Sequence, residues 1–371
     1  MPIKKAKKTK LPNISGPLLA WYDEHGRSLP WRFKEGRSKG GERPDPYFVW
    51  LSEVMLQQTT VPTVKGYFDR FITRWPTVKD LAAANQDQVL GEWAGLGYYA
   101  RARNLYKCAG VVADEYDGIF PSDEASLKSL PGIGDYTAAA ISAIAFNKRA
   151  APVDGNIERV YTRLFRISTL LPKAKAEVRA LMEKTLPGKA EGERYGDYAQ
   201  ALMDLGSGVC KAKTPLCDDC PLSTICQGFK AGDAASFPVK APKKKKPTRY
   251  GLAFLLSDDD GRGYFETRPE KGLLGGMLGV PHSPWTTDAL DEVAAMAHAP
   301  TVADWKKQDG IVKHTFTHFH LEMMVYSASG VPKGHGMGGN LPGKWIALDA
   351  LKGHPIPTVM MKVVEHLKKY K

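Results

Sequence analysis

Four of the chain's five cysteines fall between residues 210 and 226. Cys210, Cys217, Cys220 and Cys226 are spaced C-x6-C-x2-C-x5-C. A chain otherwise so poor in cysteine has no use for a disulfide scaffold, and four clustered thiols in a reducing compartment point to a metal site. Zinc and an iron–sulfur cluster both accept four thiolates. Zinc ribbons usually pair two C-x2-C knuckles, and here there is one. The wider first and last spacings suit a cubane, whose four ligands reach separate irons. Cys108 stands alone between Leu105 and Val111 in a helical stretch and is expected in the core.

A length of 371 residues predicts two domains. Hydrophobic content of 43% and charged content of 25% are those of ordinary globular protein. The net charge of +12 predicts a polyanionic partner, against the plainer role of keeping a surface soluble. No apolar stretch approaches a membrane span, and the basic start MPIKKAKKTKLPN lacks the apolar core of a secretory signal. Residues 1–15 read as a basic arm that touches phosphates or is simply solvated. A cytoplasmic location is expected.

Residues 16–228 carry helix-period segments punctuated by Gly and Pro, and close on the cysteine loop. Residues 229–249 include FPVKAPKKKKPTR, a Lys/Pro-rich linker without periodicity. Beyond it, 250–371 turn to strands (YGLAFLLSD, YFETRP, the alternating VKHTFTHFHLEMMVY) and end in a helix, TVMMKVVEHLKKY. The expected fold class is therefore a mostly α N-terminal domain with a cysteine loop, followed by an α+β C-terminal domain.

Three stretches of the helical part carry candidate chemistry. In LPGIGDYTAAAI, Pro131 and Gly132 break one helix, and Gly134 permits a tight turn before the next. Unpaired N–H groups at such a helix start invite a phosphate. The stretch resembles the helix-hairpin-helix motif, which grips a DNA phosphate without reading sequence; alone, it is also an ordinary interhelical turn. In APVDGNIERV, Asp154 precedes a helix start, where it reads as an N-cap. In VWLSEVMLQQTTV, Glu53 sits among Trp50, Val54 and Met55, and such desolvation raises a carboxyl pKa. Gln57 lies one turn on, on the same face. A protonated Glu beside an ionised Asp is the division of labour of glycoside hydrolysis.

The cysteine spacing after a helical domain resembles the iron–sulfur DNA glycosylases of the endonuclease III superfamily. SEVMLQQT, GLGYYARARNL, LPGIGDYTA and VDGN together resemble its MutY-type adenine DNA glycosylase family, over nearly the whole chain from Pro17. The resemblance implies a helix-hairpin-helix glycosylase domain holding a 4Fe–4S cluster on Cys210, Cys217, Cys220 and Cys226, then a nudix-like domain. It implies removal of adenine mispaired with 8-oxoguanine or guanine, in base excision repair, by a DNA-binding monomer, associated with the nucleoid if the source is bacterial. Glu53 is then the acid and Asp154 the essential aspartate, with Tyr136 and Asn156 assisting. Bifunctional relatives carry a catalytic lysine where this chain has Tyr136, so no Schiff base and no designed strand cleavage are expected.

The same resemblance assigns DNA contacts to Arg32 near the adenine pocket, Gln57, Gln58 and Thr59, Leu96 and the wedge Tyr98, Gly132 and Gly134, Lys211 and Lys213 of the cluster loop, and the strand residues Phe316, Thr317 and His318. Without it, Tyr98 would read as a core tyrosine. The family more often has serine at the place of Thr317. Residues 33–45 are longer than the family's usual link. DALDEVAAMA lacks the glutamates with which a nudix hydrolase holds magnesium, so no such activity is expected. Two other readings are a glycosylase for mispaired thymine or oxidised pyrimidine, and a non-catalytic iron–sulfur DNA-binding or redox sensor; the latter would not need both Glu53 and Asp154.

Overall fold

A computed structural model of the protein describes residues 11–32, 43–242, 245–269, 271–329, 343–351 and 353–369. Most of the basic arm and residues 33–42 of the long link lie outside them. The chain divides into two compact units: Met1–Ala83 with Lys107–Pro242, and Ala84–Tyr106 with Lys243–Lys371.

The helices of the first two-thirds of the chain are α1 (Ser15–His25), α2 (Pro46–Leu56), α3 (Val61–Arg74), α4 (Val78–Ala82), α5 (Gln86–Glu92), α6 (Ala100–Glu115), α7 (Glu124–Ser129), α8 (Asp135–Phe146), α9 (Gly155–Leu164), α10 (Ala174–Thr185), α11 (Tyr195–Gly208) and α12 (Gln227–Lys230). The first unit is built around α8 and α11. Every residue of α8 from Thr137 to Ala145 is buried, as is α11 from Gly196 to Gly206. Small side chains make this possible, because Ala and Gly let neighbouring helix backbones approach. Aromatic residues fill the wider gaps: Trp31 meets Phe68 edge-on at 5.2 Å, and Trp50 meets Phe120 at the same separation. Cys108 is fully buried, as its helical context implies.

The second unit holds two small sheets. In one, β1 (Thr248–Leu256) runs parallel to β6 (His320–Ala328), which also pairs antiparallel with β4 (Lys306–Lys307) and β5 (Val312–Thr315). In the other, β2 (Arg262–Thr267) lies between β3 (Leu278–Gly279) and β7 (Gly343–Ala347). A core of Leu255, Phe265, Leu321, Met323 and Val325 is closed by Val359, Met360 and Val363 of the C-terminal helix α14 (Thr358–Lys369); a short helix α13 (Glu292–Met296) precedes β4. Residues 84–106 join this unit through Arg103, which donates to the carbonyl of Gly275, and through a close approach of Gly91 to the carbonyl of Gly353. Among the described residues, no helix is long and apolar enough to cross a membrane.

The alternating stretch 312–326 is two strands rather than one. The chain turns at Phe316–Phe319, where the Phe316 N–H donates to the Phe319 carbonyl at 2.9 Å. Phe316, Thr317 and His318 are thus turn residues, not strand residues. Alternation hid the turn because both of its phenylalanines face inward, their tilted rings 4.8 Å apart.

Candidate active site

A cleft of about 870 Å³ opens in the first unit, and it gathers Glu53, Tyr136, Asp154 and Asn156 with Arg32, Gln57, Gln58 and Thr59. These residues come from four separate stretches of the sequence, so the fold has brought together what the motifs only suggested.

Glu53 reaches the cleft from α2. Asp45 caps that helix by accepting from the Tyr47 N–H at 2.8 Å, and Pro46 stands at its first position, where no N–H is needed. Eight of its eleven residues are buried, Glu53 among them at 7% exposure. Burial is the main reason its carboxyl is pushed up to about 7; Asp154 adds to the rise, while a hydrogen bond from the Tyr136 hydroxyl and the charge of Arg32 oppose it. A carboxyl in this range holds its proton near neutrality and can give it up to a substrate.

Asp154 is held by hydrogen bonds at the start of the helix that follows it. It caps α9, with Oδ1 accepting from the N–H groups of Asn156 at 3.0 Å and Ile157 at 2.8 Å. Its Oδ2 accepts from Asn156 Nδ2 at 2.8 Å. Asn156 is itself fixed by Arg159, whose Nη2 donates to Asn156 Oδ1 at 2.8 Å and whose Nε donates to the Cys210 carbonyl at the same distance. One side chain therefore ties the cysteine loop to the cap of α9. Gly206 of α11 is required here, because a Cβ would come within 2.6 Å of Asn156 Cβ. Both readings of Asp154, cap and cleft carboxylate, hold at once.

Tyr136 lies in the first turn of α8, which starts at Asp135 with no side-chain cap. Its first-turn N–H groups are open to an anion, as the hairpin reading requires. The left-handed turn residue is Gly132, at φ 76°; Gly134 is extended. The expectation that Gly134 makes the tight turn is thereby corrected. Gly134 instead leaves the outer face bare, since a Cβ there would meet nothing. Across the cleft, Gln57 caps the end of α2 and donates to Thr137 Oγ1 at 3.5 Å. Gln58 follows at φ 60°, an uncommon left-handed backbone for a non-glycine residue, and this turns the strip Gln57–Thr59 along the cleft.

Arg32 is buried in the cleft wall with its guanidinium paired to Asp204, at 2.8 and 3.1 Å. Arg27 takes the same carboxylate, Nε to Oδ1 at 2.7 Å. Burial alone would raise the Asp204 carboxyl; the Arg32 and Arg27 charges outweigh it and hold it low. Sequence reasoning missed Asp204 and Arg27. An aspartate in the middle of the apolar helix α11 was the available signal, since a buried carboxylate needs cationic partners.

The four cysteines line one small apolar cavity of about 30 Å³, so the loop does bring them together. Among the described residues, no group of three or more His, Cys, Asp or Glu side chains closes round a single ion. Arg163, fully buried on α9, organises the loop. It donates to Cys210 Sγ at 3.3 Å, to the carbonyls of Lys211 and Ala212 at 2.7 and 3.0 Å, and to the Phe237 carbonyl at 3.1 Å. Lys211 and Lys213 stay exposed beside it. Sequence reasoning missed Arg163 as well, because helical arginines usually face solvent.

In the second unit, Tyr98 and Thr317 meet: their hydroxyl oxygens are 2.8 Å apart. Tyr98 is 52% exposed at φ 48°, an outward-turned residue rather than a core tyrosine. Thr317 and His318 are exposed, and Phe316 is half-buried. Leu96 is buried at 5% exposure, two residues before the outward-turned Tyr98.

Comparison with known proteins agrees with this geometry. Residues 51–187 match the HhH-GPD superfamily of base excision DNA repair proteins, and residues 252–366 match the NUDIX domain family. The adenine DNA glycosylase of Homo sapiens is 32% identical over 94% of this chain and 72% of its own. That of Mycolicibacterium smegmatis is 40% identical over 65% of this chain and 79% of its own. A solved thermostable thymine-DNA glycosylase superposes with a TM-score of 0.51 at 30% identity, covering 58% of this chain and 95% of its own. With a helix-hairpin-helix cleft that holds a raised glutamate opposite a capping aspartate, and with these relatives, the chain belongs to the adenine DNA glycosylase family.

Proposed function

We propose that the protein hydrolyses the N-glycosidic bond of adenine mispaired with 8-oxoguanine or guanine, and that it acts as a monofunctional monomer on duplex DNA. The observation that carries this reading is the pair of carboxylates in one cleft, with Glu53 buried and raised to about 7 and Asp154 held by three N–H donors. Adenine leaves the base stack, at a cost of a few kcal/mol, and enters the cleft. Glu53 gives its proton to adenine N7, turning a poor leaving group into a good one. Positive charge then develops on the sugar, and Asp154 faces it, oriented by Asn156. Tyr136 positions the Glu53 carboxyl through its hydroxyl. Water completes the hydrolysis.

Arg32, bound to Asp204 in the cleft wall, orients the base. Gln57, Gln58 and Thr59 face the strand opposite the flipped adenine. Gly132 and Gly134 admit a phosphate at the hairpin, and Lys211 and Lys213 neutralise others. Tyr98 enters the stack, while Phe316, Thr317 and His318 read the lesion.

The four cysteines fit a 4Fe–4S cluster better than a single zinc. All four line one cavity, and their spacing has a single C-x2-C pair where zinc ribbons usually have two. Cys210, Cys217, Cys220 and Cys226 would each hold one iron, and the cluster would stiffen the loop that presents Lys211 and Lys213.

Duplexes bearing adenine opposite 8-oxoguanine test the reading. Adenine release should be followed by strand cleavage only after alkali, and borohydride should trap no covalent adduct. Cleavage without alkali, or preferential release of thymine or an oxidised pyrimidine, would overturn it.

A further inference from the structure

Among the described residues, three cations line the cleft: Arg27, Arg32 and Lys175. Both arginines are committed to Asp204. Lys175, in the first turn of α10, has a looser partner in Glu158, 3.9 Å away and outside hydrogen-bonding distance. Its side chain is 51% exposed. Glu158 stands one helical turn beyond Asp154 on α9, so Lys175 overlooks the mouth beside the catalytic cap. Lys175 is also close enough to act electrostatically on Asp135, the first residue after the hairpin. Its ammonium thus lies between the turn that admits a phosphate and the cleft that admits a base.

A nucleotide turned into this cleft brings the phosphates of its own sugar to the mouth. There it meets the acidic Asp154 of the cleft lining, with Glu158 one turn further along α9. An ammonium on a flexible stem, in a loose ion pair at 3.9 Å, can exchange that carboxylate for a phosphate oxygen at little cost, because long ion pairs at half-exposed side chains hold weakly. We propose that Lys175 is a DNA-contact residue that pairs with a phosphate flanking the flipped adenosine and offsets the negative charge of Asp154 and Glu158. This rests on the glycosylase reading of the cleft.

The test uses the full-length protein and a duplex carrying 2′-fluoro-2′-deoxyadenosine, which resists cleavage, opposite 8-oxoguanine. Binding is measured over a range of salt for the wild type, Lys175→Ala and Lys175→Arg, with a fully matched duplex as reference. Lys175→Ala should bind the mispaired duplex about three- to tenfold more weakly at 0.1 M salt. Its slope of log affinity against log salt should be shallower by about 0.9, the signature of one lost phosphate contact. Lys175→Arg should restore both, and the matched duplex should change by less than about twofold. A neutral methylphosphonate at one flanking position should weaken the wild type by the same factor and leave Lys175→Ala unaffected. An unchanged salt slope, or equal losses in both proteins from the methylphosphonate at either flanking position, would overturn the assignment. A wild type that shows no preference for the mispaired duplex would overturn the glycosylase reading itself, and Lys175's role with it.

Discussion

The cleft of the first unit and the Phe316–Phe319 turn of the second handle polar groups in opposite ways. The cleft buries a carboxyl at 7% exposure and surrounds it with fixed partners, so that one proton is held and aimed. The turn exposes a threonine hydroxyl and a histidine on a small aromatic base, where Trp285, Phe316 and Phe319 lie within about 6 Å of one another. The first arrangement suits chemistry, which needs a desolvated and prepaid geometry. The second suits reading, which needs groups that can meet a partner's edge. The contrast predicts that, on the proposed function, substitutions in the two regions should affect excision and discrimination separately.

The largest effect belongs to the cleft. Glu53→Gln keeps the shape and removes the proton, so adenine release should fall by at least about 10²–10⁴-fold while duplex binding persists. Single-turnover release alongside a binding titration checks it, and activity within about tenfold of the wild type would remove Glu53 as the acid. The same variant should raise the melting temperature, and more so at pH 8 than at pH 5. With its folded pKa raised, the glutamate's contribution to stability is present at low pH and is lost as pH rises through about 7.

The cysteine loop comes next. Purified protein should be brown, and Cys217→Ser should lose colour and bind DNA more weakly, since disorder of the loop releases Lys211 and Lys213 from their positions. Visible absorption and iron content measure the first, a salt-dependent titration the second. A colourless, fully active protein that contains zinc would contradict the cluster.

The turn should show a smaller effect of a different kind. Changing Phe316, Thr317 and His318 together to Ala should lower the ratio of excision opposite 8-oxoguanine to excision opposite guanine by about tenfold, one good hydrogen-bonded contact's worth. Release opposite guanine should change less. An unchanged ratio in a folded variant would move lesion reading elsewhere. Smallest of all is Tyr98→Phe, which removes one solvent-exposed hydroxyl contact to Thr317 and should alter the same ratio by about threefold or less. A loss as large as that of the triple variant would show that the wedge and the turn act as one device.

Much of this was legible in the sequence. The helix periods placed α2, α8, α9 and α11, and the Asp154 cap was readable because N-caps are local. Glu53 was readable because its neighbours are apolar at helical spacing. Other features depend on contacts far along the chain. Asp204 pairs with arginines more than 170 positions away, and no local pattern announces the partners. Arg163 faces inward only because the loop carbonyls 48 and 49 residues on turn towards it. The turn at Phe316 was hidden by alternation that runs straight through it. The joining of residues 84–106 to the second unit follows from long-range contacts such as Gly91 with Gly353, which periodicity cannot supply.

If a buried, protonated Glu53 drives adenine release, the single-turnover rate on adenine opposite 8-oxoguanine, measured from pH 5 to pH 9 at saturating enzyme, shows it most directly. A general acid is competent while protonated, so the wild-type rate should fall as pH rises through about 7, approaching tenfold per pH unit. The residual rate of Glu53→Gln should lack that limb. A wild-type rate that stays flat to pH 9, or a Glu53→Gln variant that keeps the same limb, would contradict the account.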